Sequence, residues 1–308
     1  MEPIGILHPI SPYNFDLMLA LLSRYIHPIT DIARAGAYWR VLRIGETLAL
    51  LRVDNCGTIG APKLAVSVAE TNGTVNGDTG LAAMAYILGV DTDLSAFYAY
   101  ARCDPILWQI VAPMVGLRWL RTPSVFEALM TTIIEQQIAW TAAQKAQRWL
   151  VEWGGNRIVW NSVDFYAFPT PEQLAVATVP ALTPLKITFK RMNVMIDIAR
   201  QVVAGIVDLE RLRDCSTEEA YQQLIGLKGI GHWTAIWALQ RARGWHNYVG
   251  HNDVALQAAV NHYFYGGTGR IPAEKVAETF ERFGEYAGIA ANYTIMRWVL
   301  DRYAVNEA

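Results

Sequence analysis

Two glycines two residues apart, set between stretches of helical periodicity, limit this chain more than any other feature. The segment Leu224-Ile-Gly-Leu-Lys-Gly-Ile-Gly-His-Trp-Thr-Ala235 breaks at Gly229 and Gly231, so it reads as two short helices joined by a tight hairpin. Glycine tolerates positive φ and lets a backbone approach a ligand closely, so amides here can point at one phosphate. A helix C-cap followed by a short connection would use the same glycines for packing alone. Dinucleotide binding is set aside, because Gly-Ile-Gly-His-Trp-Thr lacks a third glycine and no strand precedes it. An acid, Asp253, follows Trp233 by 20 positions and ends the loop Val249-Gly-His-Asn-Asp253. Because the apolar run Val254-Ala-Leu-Gln-Ala-Ala-Val260 comes next, Asp253 also reads as the cap of that helix. The two roles are compatible, since the partial positive charge of a helix N-terminus favours an ionised carboxylate.

At 308 residues and 53% hydrophobic content, the chain can bury one large or two modest cores. No apolar run approaches the roughly 18 residues that span a bilayer; the longest, Gly80 to Val90, reads as a buried helix. Met1-Glu-Pro-Ile-Gly5 lacks the basic-then-apolar pattern of an export signal, so a cytoplasmic location is expected. A formal charge of -2 speaks against binding by a blanket of lysines, but not against a small footprint of backbone amides and a few arginines. Cys56, Cys103 and Cys215 are far apart, so neither zinc nor an iron–sulfur cluster is expected.

Residues up to about 100 mix helix and strand patterns. Asn14 to Tyr25 reads as a helix, Tyr38 to Val53 as a hairpin turning at Gly45, and Pro62 to Glu70 as a further strand. From about Leu81 the reading is helical almost throughout. Ser124 caps a long helix through Trp140, with Glu127 completing a capping box. Further helices are expected over Thr141 to Trp153, Thr170 or Pro171 to Thr178, Phe189 to Val207, from Ser216 into the hairpin, then Asp253 to Phe264, Ala273 to Phe283 and Ala290 to Tyr303. The predicted class is α+β: an N-terminal α/β cap over 1–100 and a helical body over 101–308, with the hairpin at 224–235 and the acidic loop at 249–253.

The hairpin followed by Asp253 resembles the helix–hairpin–helix DNA glycosylases, whose motif ends in a Gly/Pro-rich loop and a catalytic aspartate; Asp253 is the match. Gly-Ile-Gly-His-Trp-Thr-Ala closely resembles the bacterial 3-methyladenine DNA glycosylase II group. Pro12-Tyr-Asn-Phe15, Phe126-Glu127 with Gln136-Gln137-Ile138, Phe168-Pro-Thr-Pro171-Glu-Gln-Leu174 and Tyr293 extend the resemblance over nearly the whole chain. It implies a small mixed β-sheet domain before two helical subdomains. The implied partner is double-stranded DNA containing damaged bases, with no membrane or protein partner. The implied activity is base excision repair by hydrolysis of an N-glycosidic bond, with Asp253 stabilising oxocarbenium character and orienting or deprotonating water.

The resemblance also assigns the remaining positions. Gly229, Gly231, His232 and Thr234 would grip a phosphate, and the carbonyls of Ile225, Leu227 and Ile230 would hold Na⁺ or K⁺; no other cofactor is required. Bifunctional relatives carry a lysine two places after the second glycine, where this chain has Trp233, so a monofunctional enzyme is expected. Trp233 and Trp237, four apart, would line a pocket for a cationic purine, joined by Trp298; the same spacing also suits a core. Trp119, between Arg118 and Arg121, is placed as the intercalating wedge, with Leu120 or a buried helix end as alternatives. Gln136 and Gln137 would contact DNA near the gap, and His251 would contact a phosphate or titrate. Three departures stand out: no proline in the 249–253 loop, Glu135 before the glutamines, and Lys186 at a usual glycine position. The rival readings are a non-catalytic DNA-binding module and a glycosylase for oxidised or etheno bases.

Overall fold

The computed structural model describes residues 1–23, 29–244 and 246–304, the side chains of 303 and 304 excepted. The expected end of the first helix at Tyr25 lies outside the described residues. Five strands pair in the spatial order β1 (Glu2–Leu7), β5 (Leu64–Thr71), β4 (Thr47–Asn55), β3 (Ala37–Ile44), β2 (Ile32–Arg34), and α1 (Phe15–Leu21) follows β1. The class is α+β, and every pairing in this sheet is antiparallel rather than mixed. The expected hairpin is β3–β4, turning at Gly45 with φ 61. Strands β1 and β2 have no counterpart in the sequence reading: one carries Pro3 and Gly5, and the other is three residues long.

Period-two alternation sends Tyr38 and Leu42 to one face of the sheet and Ala37, Trp39 and Val41 to the other. The first face packs on α2 (Gly77–Ile87), α3 (Ser95–Ala101) and α4 (Pro105–Val111). The second is covered from the middle of the helical body, where α5 (Val125–Glu135) and α6 (Trp140–Gly154) are followed by a hairpin of β6 (Arg157–Trp160) and β7 (Val163–Tyr166). Ile158 and Phe165 of this hairpin sit on the sheet, with the Phe165 ring 5.7 Å from Trp39. The hairpin corrects the reading of the chain after about Leu81 as helical almost throughout. Its two β-favouring runs flank Asn161 and Ser162, both at positive φ (46 and 60), the backbone that a two-residue hairpin loop demands.

The rest is helical: α7 (Pro171–Ala175), α8 (Val179–Leu182), α9 (Phe189–Val203), α10 (Thr217–Ile225), α11 (His232–Arg243), α12 (Val254–Tyr265), α13 (Ala273–Glu281) and α14 (Ala287–Ala304). Several ends differ from expectation. The Ser124 helix stops at Glu135 instead of Trp140, because Gln136 leaves helical geometry (ψ 123) and Gln137 takes φ 51. Ser124 accepts from the Glu127 amide at 3.0 Å, but the Glu127 carboxylate is turned to Arg40, so that capping box is half made. Thr170 and Gln173 make both halves of theirs. The helix expected as far as Thr178 ends at Ala175, and Thr178 caps α8 instead.

Two cores result. One joins the sheet, α1 to α4 and the returning helices α12 to α14; the other is built by residues between Val125 and Ala242. The hydrophobic grouping therefore ties residues near each end of the chain together. Arg40 on β3, 1% exposed, crosses the seam by pairing with both Asp31 and Glu127, the latter in the first turn of α5. Thr122 N donates to Arg241 O at 2.8 Å, and the Tyr86 hydroxyl donates to Ala242 O. Among the described residues no helix is long and apolar enough to cross a membrane.

Candidate active site

The hairpin forms where the glycines place it. Helix α10, capped by Ser216, ends at Gly226, and the turn closes with Ile230 N donating to Leu227 O at 3.1 Å. Gly229 lies at φ 88, and a Cβ there would meet Val194 Cγ2 at 2.6 Å, so both backbone and space require glycine. Replacing it by alanine is expected to cost about 1–3 kcal/mol in urea unfolding; a variant as stable as the parent would refute this packing. Gly231 is the N-cap of α11 with nothing within 4 Å of a notional Cβ and no side-chain cap bond. The first amides of α11 are thus left to an outside acceptor, the arrangement that suits an anion.

Asp253 caps α12 and is partly exposed. Its Oδ1 accepts from Ala255 N at 2.8 Å and Leu256 N at 3.0 Å, while Oδ2 accepts from Trp233 Nε1 at 3.1 Å. The carboxylate is therefore fixed from two directions, by its own helix and by the second residue of α11. The proline-free loop before it is braced by hydrogen bonds: His251 N to Val249 O at 2.9 Å, Asp253 N to Gly250 O at 2.8 Å and Gln257 Nε2 to His251 O at 3.2 Å.

Trp233 and Trp237 share one face of α11 with ring centroids 6.3 Å apart. Trp298 stands elsewhere: it packs on His262 at 5.4 Å and Tyr263 at 6.3 Å, more than two turns along α12 from Asp253. His232 and His251 face each other at 5.0 Å, and the His232 Nδ1 is 2.9 Å from the Tyr221 hydroxyl. Burial, then the neighbouring His251, pushes the His232 imidazole below its usual pKa. Thr234 is buried and its hydroxyl accepts from Gln136 Nε2 at 2.8 Å; the same amide reaches Gly229 O at 3.4 Å. Gln136 thus braces the hairpin, whereas Gln137 is exposed at its positive φ. Of the three carbonyls expected to hold a cation, Leu227 O accepts one hydrogen bond, and those of Ile225 and Ile230 accept none among the described residues.

The wedge expected at Trp119 is corrected. Its ring is packed edge-on against Tyr293 at 4.9 Å and against His246 at 4.7 Å. Arg118, 4% exposed, donates to the carbonyls of Leu117, Ile10 and Thr92. Arg121, 8% exposed, binds Asp91 and Thr92 and lies over Tyr86. Both cations are spent inside the fold, so this segment offers neither wedge nor phosphate clamp; Leu120 likewise packs against the first core. Glu135 is a salt-bridge partner, 2.7 Å from Arg241. Arg191, which sequence reasoning missed, donates to the carbonyls of Ile134 and Gln136 and so closes the end of α5. Only its place in the first turn of α9 hinted at such a role.

An antiparallel five-stranded sheet before a helical body, a glycine hairpin and an aspartate at the next helix start form the helix–hairpin–helix glycosylase fold. The solved 3-methyladenine DNA-glycosylase of Archaeoglobus fulgidus shares it, with a TM-score of 0.81 and 24% identity over 97% of this chain and 98% of that one. A DNA-3-methyladenine glycosylase of Bacillus subtilis (strain 168) is 36% identical over 152 residues, 49% of this chain and 50% of the relative, so the chain matches about half that protein's length. DNA-3-methyladenine glycosylase 2 of Escherichia coli (strain K12) is 30% identical over 240 residues, 76% of this chain and 78% of the relative. No family model matches the chain. The chain belongs to the DNA-3-methyladenine glycosylase family.

Proposed function

We propose that this protein is a monofunctional DNA glycosylase that excises alkylated purines from double-stranded DNA and leaves an abasic site. The observation that carries the reading is the carboxylate of Asp253, with one oxygen on the amides of α12 and the other on the Trp233 indole, beside the open amides of the hairpin. An N-alkylated purine is often cationic, so it leaves as a neutral base when the C1′–N bond breaks with its electron pair. The sugar then carries the positive charge, which the Asp253 anion stabilises through space. Water adds to C1′, and its proton passes to the carboxylate or to solvent. Trp233 and Trp237 supply aromatic faces for the bound cationic base before its bond breaks, worth roughly 0.5 to 2 kcal/mol.

The amides near Gly229, Gly231 and His232 would take the phosphate, with Gln137 and His251 at the rim. Na⁺ or K⁺ on the carbonyls of Ile225, Leu227 and Ile230 would add positive charge there without requiring a basic protein.

Trp233 stands where bifunctional relatives carry the attacking lysine, so no amine is expected at that position to attack the sugar. Methylated duplex DNA incubated with the protein is expected to release free base, and the strand should break only after heat or alkali. Nicking without that treatment, or a borohydride-trapped adduct, would overturn the monofunctional reading. Comparing 3-methyladenine, 7-methylguanine, ethenoadenine, hypoxanthine and 8-oxoguanine sets the substrate range; release of 8-oxoguanine alone would reject alkylpurines.

A further inference from the structure

A proline would lock the backbone ahead of Asp253, but the 249–253 loop has none, and a line of rings stands beside it instead. Glu218 and Tyr221 lie one turn apart on the same side of α10. The Glu218 carboxylate accepts from the Tyr248 hydroxyl at 2.8 Å, and the Tyr248 ring is 4.9 Å from that of Tyr221. The Tyr221 hydroxyl is 2.9 Å from His232 Nδ1, and the imidazoles of His232 and His251 face each other at 5.0 Å. The Gln222 amide and the Tyr248 hydroxyl hold the Glu218 carboxyl below its usual pKa, while burial and Glu218 push that of Tyr248 up to about 12. Near neutral pH the first link is thus an anion accepting from a neutral phenol.

The line ends on both sides of the contact between acid and indole. His232 precedes Trp233, whose Nε1 donates to Asp253 Oδ2, and His251 stands two residues before Asp253. Within the loop, His251 N donates to Val249 O and Asp253 N to Gly250 O, so a shift of residues 248–251 carries through to the acid. Tyr248 belongs to none of the apolar cores and Glu218 is exposed. The array therefore orders the loop more than it stabilises the fold.

We propose that Glu218, Tyr248 and Tyr221 are positioning residues: through His232 and His251 they hold the loop so that the Asp253 carboxylate stays on the Trp233 indole. They act through the two histidines and not on the reacting atoms. The proposal rests on the glycosylase reading of Asp253.

Glu218→Ala and Tyr221→Phe each remove one hydrogen bond from the array, and each is expected to slow single-turnover base release from methylated duplex about tenfold. Affinity for an abasic duplex should stay within about twofold of wild type, since only the chemical step loses its geometry. Glu218→Gln removes the charge but keeps an acceptor for Tyr248, and should release base within about twofold of the parental rate. Parental rates in Glu218→Ala and Tyr221→Phe would overturn the proposal. So would a loss of affinity in place of rate, or a Glu218→Gln variant as slow as Glu218→Ala, which would assign the effect to charge. The Trp233 indole N–H, identified in ¹⁵N spectra by its absence from Trp233→Phe, reads the same contact without chemistry. Its hydrogen exchange should quicken about tenfold in Glu218→Ala and Tyr221→Phe and stay at the parental rate in Glu218→Gln. A wild-type protein that releases no base would sink the glycosylase reading, and the indole signal would then decide the array alone: unchanged exchange in both weakened variants rejects it.

Discussion

Asp253→Asn is expected to lower base release on the order of a thousandfold in single-turnover assays, with little change in stability. Asparagine caps helices as well as aspartate does, so its oxygen can keep the bonds to Ala255 N and Leu256 N. What it loses is the negative charge, and its NH₂ then faces the Trp233 indole N–H, donor against donor. The substitution thereby separates two roles that the sequence left entangled. Were Asp253 only a cap, the variant would release base at the parental rate. Loss of activity at an unchanged urea midpoint, with binding to abasic duplex preserved, is the outcome that a chemical role requires.

The second large effect concerns the fold. Arg40→Leu removes the cation from a buried cluster and leaves Asp31 and Glu127 facing each other, with side chains 16% and 7% exposed. Breaking a buried pair from one side costs about 3–5 kcal/mol, because an uncompensated charge remains. Burial already pushes the Glu127 carboxyl above its usual pKa, with Arg40 opposing that rise; without Arg40, Glu127 is expected to take up a proton. Adding Glu127→Gln to Arg40→Leu should therefore recover part of the loss in urea unfolding. A single variant within 1 kcal/mol of the parent would show that the cluster is not a linchpin.

The sequence made the hairpin and its acid legible because their constraints are local. A glycine at φ 88 with no room for a Cβ, and an aspartate at a helix start, both leave marks within a few residues. The β3–β4 hairpin was readable for the same reason. The β6–β7 hairpin was equally local, in two β-favouring runs, but the helical periodicity on either side drowned it. What could not be read is what lies across the chain. Arg118 and Arg121 looked like phosphate ligands by type, yet their acceptors are Ile10, Asp91 and Thr92, and only folding shows that they are occupied. The pairing of Gln136 with Thr234, 98 residues away, is invisible for the same reason. Trp298 illustrates the limit of residue type: an indole on the last helix suited the pocket, but α14 turns it toward His262 and Tyr263.

The helices that carry the carboxylate and the indole pack in different cores: α12 in the first and α11 in the second. The catalytic geometry is therefore assembled across a joint and is not contained in either half. A slip of a fraction of an ångström at that joint would part acid from indole without wetting a single core leucine. On heating, activity is therefore expected to fail through lost registry between the two halves before either one melts.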